Sequence, residues 1–82
     1  MSTKDDEILG HINELAAEEH HLFELESQGK ATEADRDRMR ALEVTLDQCW
    51  DLLHQRRARR GAGLDPDAAE ERDPATVEGY VD

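Results

Sequence analysis

In Met39-Arg40-Ala41-Leu42-Glu43-Val44-Thr45-Leu46-Asp47-Gln48-Cys49-Trp50-Asp51-Leu52-Leu53, apolar residues recur at 39, 42, 46, 49 and 53, in alternating steps of three and four. That is the 3.5-residue period of a helix that buries one narrow seam against another helix. The same period occurs upstream at Ile8, Ile12, Leu15, Glu19, Leu22 and Glu26. A short link, about Gly29 to Thr32, joins the two runs and forces them antiparallel. Folded at that link, the seams match as Ile8 with Leu53, Ile12 with Cys49, Leu15 with Leu46, Glu19 with Leu42 and Leu22 with Met39, each pair of numbers summing to 61. Two independent periodicities that fall into one register predict an all-α, antiparallel two-helix coiled-coil hairpin.

Start and stop signals set the bounds. Ser2 and Thr3 are candidate N-caps, and Asp5, Asp6 and Glu7 occupy the first turn, where the helix dipole favours negative charge. Gly29 is a natural C-terminal glycine. Thr32 restarts the chain as an N-cap with Asp35 three residues on, a shortened capping box. The second helix is expected to end at Arg59-Arg60-Gly61. The hairpin therefore covers 1–60, with helices about 3–28 and 33–60, followed by an acidic C-terminal segment, 61–82.

Composition agrees with a small helical protein. Eighty-two residues leave room for one core, and aromatic residues make up only 4%, which disfavours a β-sandwich or barrel. The net charge is −11, which opposes general binding to nucleic-acid phosphates or anionic membranes. No apolar run approaches the ~18 residues of a membrane span. The N-terminal residues lack the pattern of a signal peptide, and a single cysteine allows no internal disulfide, so a soluble cytoplasmic protein is expected. Charge is ordered in blocks: net −7 over 1–28, +2 over 29–60 and −6 over 61–82, a pattern that lets the pieces attract one another within the fold.

Nine apolar seam residues are little for about 55 ordered residues, and helical scaffolds this small usually add a partner. A second surface is available. Leu9, Ala16 and Phe23 recur every seven residues beside the first seam, and Trp50 falls on the same flank of the second helix. This stripe would be buried in a homodimeric four-helix bundle or covered by the C-terminal segment. That segment contains Asp65-Pro66 and Asp73-Pro74, each a helix-start pair. Short turns at Pro66–Glu71 and Pro74–Tyr80, with Leu64, Val77, Tyr80 and Val81 to bury, compete with a disordered acidic tail.

Residues of a type able to carry chemistry each have a plainer reading. Glu18 with His21, and Asp51 with His54, have the i,i+3 spacing of carboxylate–histidine metal ligands, but they lie off the seam, so solvated faces are expected and no metal or cofactor is assigned. Glu19, on the seam, is read as register-setting or as reaching an arginine such as Arg38. The basic cluster Arg56, Arg57, Arg59 and Arg60 has no interleaved aromatic residues; it falls level with Asp5 and Asp6 at a helix C-terminus, which favours a structural role over phosphate binding. Cys49 on the seam reads as a buried apolar thiol with no evident base beside it. No phosphate loop, zinc spacing or serine triad is present, so an enzyme is not expected and no catalytic residue is assigned.

The run Leu46-Asp47-Gln48-Cys49-Trp50-Asp51-Leu52-Leu53-His54-Gln55-Arg56-Arg57-Ala58 resembles the domain of unknown function 2630 family, short proteins of actinobacteria. So do Ile8-Leu9-Gly10-His11-Ile12 with Leu15 and Glu18-Glu19-His20, the Gly63-Leu64-Asp65-Pro66 step, and the ending Val77-Glu78-Gly79-Tyr80. The resemblance covers nearly the whole chain and implies no activity, cofactor or catalytic residue. It does imply that the tail belongs to the domain, and it fits a bacterial cytoplasmic setting. The expected function is a self-associating helical protein-interaction or regulatory module. Its alternatives are a metal-binding bundle using His and Glu, and a nucleic-acid-linked regulator using the arginine cluster.

Overall fold

The computed structural model describes residues 3–79. Helix α1 spans Thr3–Ser27, α2 spans Glu33–Gly61, and a 3₁₀ turn at Pro66–Ala68 precedes a short α3 at Pro74–Glu78. The described residues contain no strand. Ser2, Tyr80 and Val81, to which the sequence assigned a cap and tail contacts, lie outside the described residues.

Each boundary has a local cause. Gly29, at φ 70°, lets Lys30 donate to the Leu25 carbonyl at 2.8 Å and Gly29 donate to Glu26 at 3.0 Å. This pair of bonds closes a helix on a left-handed residue that only glycine adopts cheaply. The capping box of α2 is complete. Thr32 Oγ1 accepts from the Asp35 N–H at 3.1 Å, and Asp35 Oδ2 accepts from the Thr32 N–H at 2.9 Å. At its far end α2 runs through Gly61, and the stop is Gly63. There φ is 72°, Leu64 donates to the Arg59 carbonyl at 2.8 Å and Gly63 donates to Arg60 at 3.1 Å. Both glycines suit a helix end, and the left-handed turn forms at the second.

The two long helices pack side by side and antiparallel: Asp5 meets Arg56 at one end, and Glu26 meets Arg36 at 3.1 Å at the other. The buried apolar residues of the two long helices are seam residues: Ile8, Ile12 and Leu22 from α1, and Leu42, Leu46, Cys49 and Leu53 from α2. Leu15, Met39 and Glu19 are half-buried on the same line. The seam also runs one step past its apolar ends, to Asp5, three residues before Ile8, and Arg56, three after Leu53. Both are fully buried, and their ion pair closes at 2.6 Å.

The tail folds back on α2. Asp65 caps the 3₁₀ turn by accepting from the Asp67 N–H at 2.9 Å, and Asp73 caps α3 by accepting from Thr76 at 2.8 Å, with Pro66 and Pro74 next in line. The first turn ends at Ala68 rather than Glu71, because the chain is extended from Ala69 and its carbonyls bond outward to α2. Gln55 Nε2 donates to Glu70 O at 2.8 Å, and Gln48 Nε2 donates to Arg72 O at 3.1 Å. Among the described residues Val77 is the tail's buried apolar residue; Leu64 stays 54% exposed, contrary to the expectation that it would be covered.

Candidate functional site

Two regions are candidates for a functional site: the apolar flank and the arginine-rich end of α2. On the flank, Leu9 is half-buried and packs against the core cluster, whereas Ala16 is exposed. Phe23 is 49% exposed and Trp50 41% exposed, although both are large apolar side chains. The tail crosses α2 through Gln48, Asp51, Gln55, Arg56 and Arg59 and leaves these two rings half-open to solvent. The Trp50 and His54 rings lie 6.2 Å apart, tilted by 34°. Trp50 stands between two hollows. One, of about 460 Å³, is lined by Asp47, Asp51, His54 and Gln55, with Arg72 and Val77 from the tail. The other, of about 370 Å³, is lined by Glu19, Glu43, Leu46 and Asp47.

The four arginines do not form one patch. Arg56 is buried, donating from Nε to Asp5 at 2.6 Å and from one Nη to Pro66 O at 3.1 Å and Asp67 at 3.0 Å. Arg60 also pairs with Asp5, and Arg59 donates to Asp65 O at 2.7 Å. Arg57 is exposed and makes none of these contacts. Hydrogen bonds from Arg60 and then Arg56 hold the Asp5 carboxyl well below the usual carboxylate range. Asp5 in turn raises Arg56 further above its ordinary value.

The carboxylate–histidine pairs do not converge. Glu18 gives both oxygens to Arg38, at 2.6 and 3.0 Å, and these bonds lower its pKa. The sequence assigned that arginine to Glu19 as one option. Instead Glu18 takes it, and Glu19 faces the hollow beside Trp50. His21 is exposed, and Asp51 is held by Gln55 at 2.9 Å and Arg72 at 3.4 Å. Among the described residues no three His, Cys, Asp or Glu side chains come together as a metal ion would require. Cys49 is buried, as a seam thiol should be, but it does have a base nearby: His11 Nδ1 lies 3.8 Å from its Sγ. Burial, and then the Glu71 charge, push the thiol up, away from the thiolate a nucleophile needs.

Two structural contacts lie outside the apolar pattern. One is the Asp5–Arg56 pair, which obeys the same sum of 61 as the apolar pairs. The other is the docking of the tail by Gln48 and Gln55, which bond main-chain carbonyls and leave no side-chain signature.

These features define a small all-α protein in which two long helices pack on each other and a short tail is strapped across the second. No helix among the described residues is long and apolar enough to cross a membrane. The chain belongs to the family described as protein of unknown function (DUF2630), whose model matches residues 4–82, as the sequence resemblance implied. It is similar to uncharacterized proteins of Mycobacterium tuberculosis and Mycobacterium bovis, each 47% identical over 78 residues, covering 94% of this chain and 90% of the relative. No solved structure matches the chain.

Proposed function

We propose that this protein is a non-catalytic, cytoplasmic helical interaction module that pairs with a second copy through the flank of Leu9, Ala16, Phe23 and Trp50, making a four-helix bundle. The carrying observation is the half-exposure of Phe23 and Trp50 on one flank. In a chain with only 37% hydrophobic residues, two large rings left half-open beside a filled seam mark a contact surface rather than spare core. A two-fold dimer buries such a stripe against its own copy and needs no second gene product.

The alternatives find less support. The Glu18 carboxylate that a metal site would use is taken by Arg38, and three of the four clustered arginines are taken by Asp5, Asp67 and tail carbonyls. Light scattering tests the proposal. The wild-type protein should show twice 9.3 kDa. Trp50→Ala, which costs roughly 3 kcal/mol if the ring is buried in the dimer, and Phe23→Glu, which adds a charge to the same flank, should both move the mass towards the monomer. A wild-type mass of one chain at high micromolar concentration contradicts the proposal.

A further inference from the structure

The α2 half of the flank carries charge in a particular order. Glu43, Trp50 and Arg57 are spaced by seven residues, so they lie on one stripe of the helix, and all three are exposed. Acid precedes the ring and base follows it, each about 10 Å away along the axis. The adjoining stripe repeats the order, with Asp47 three residues before Trp50 and His54 four after. Glu19 of α1 joins Glu43 and Asp47 in the hollow on the acidic side of the ring. Glu43, Asp47 and Arg57 form no ion pair with any described residue, whereas Asp5, Glu18, Glu26, Asp37, Asp51 and Asp67 all do.

We propose that a two-fold axis crosses α2 at Trp50, so that α2 packs antiparallel on α2 of a second copy with Glu43 facing the second copy's Arg57 and Arg57 facing its Glu43. The inference rests on the self-association proposed above and adds where the axis lies. A two-fold interface must be complementary to itself, because a residue that contacts another is contacted by its equivalent in return. A stripe reading acid, aromatic, base at equal spacing meets that condition about its central ring and about no other residue of the stripe. The two tryptophans then meet at the axis, and the second copy's Arg57 enters the hollow of Glu19, Glu43 and Asp47. The axis also ranks the flank. Phe23 is level with Arg38, twelve residues or ~18 Å from Trp50, so it falls at the rim and matters less than the tryptophan.

Charge reversal tests the axis. Glu43→Arg and Arg57→Glu each set like charges face to face twice per dimer, and each should weaken the dimer by roughly a hundredfold or more, with helical circular dichroism unchanged. An equimolar mixture of the two single variants pairs arginine with glutamate at both positions, so it should form a heterodimer that neither variant forms alone. The double variant should dimerise again. A wild-type dimer indifferent to both single reversals overturns the axis but leaves self-association standing, as does a pair of weakened variants that mixing fails to restore. A monomeric wild type overturns both.

Discussion

At the residue scale, Arg56 is the joint of the molecule. One guanidinium bonds Asp5 at the start of α1, Asp67 in the tail and the Pro66 carbonyl, and it does so from a fully buried position. Removing one member of a buried pair leaves the other charge without compensation, whereas replacing both by apolar groups does not. Asp5→Ala should therefore lower the melting temperature sharply, and Asp5→Leu with Arg56→Met should recover much of the loss while still loosening the tail. Thermal circular dichroism checks the first result, and hydrogen exchange of the tail amides checks the second. Acid should act through the same contacts. Asp5, Glu18 and Asp73 are held below their ordinary values by Arg60 and Arg56, by Arg38 and by the Thr76 N–H respectively. A carboxyl with a depressed folded value contributes stability above its unfolded value and loses it as pH falls through the folded one. The melting temperature should thus be flat from neutral to about pH 5 and fall below about pH 4. The Asp5–Arg56 pair was legible only through the register, since an apolar pattern stops at Ile8 and Leu53.

At the scale of elements, the helices were legible because their causes are local. Thr32 and Asp35 reveal a capping box in the sequence, and the 3.5-residue period names the buried line before any contact is known. The end of α2 was less legible, since Gly61 and Gly63 both follow the basic turn and only the folded chain shows which one takes positive φ. The two glycines should respond with opposite signs. Gly63→Ala forces alanine into a left-handed conformation at a cost of about 1–2 kcal/mol. Gly61→Ala, in a helical position with open space where its Cβ would lie, should add up to about 1 kcal/mol of stability. At this size each kilocalorie moves the melting temperature by about 4–8 °C, so thermal melts of the two variants resolve the difference. The tail's path was not legible, because amide side chains such as Gln48 and Gln55 bond to main-chain carbonyls that any sequence supplies.

At the scale of the whole molecule, the extents are 49 × 27 × 15 Å. The two long helices form one layer joined along a single apolar seam, with the short tail laid against α2. Stable domains ordinarily bury that kind of layer against a second one. Among the described residues the tail supplies only Val77 to the buried apolar set, and Phe23 and Trp50 stay half-exposed. The missing layer is what the proposed dimer supplies. The half-exposure of Phe23 and Trp50 follows from their places beside the seam, which the seven-residue spacing gives. Whether the tail covers them was not legible, since that depends on which side of α2 the tail crosses.

The most direct measurement is sedimentation equilibrium of the wild-type protein and Trp50→Ala from low to high micromolar concentration. Self-association through the Trp50 flank predicts a wild-type mass that rises to twice 9.3 kDa, and a variant that stays helical but shifts towards one chain at the same concentrations. A wild-type protein that remains at 9.3 kDa and fully helical throughout would contradict it.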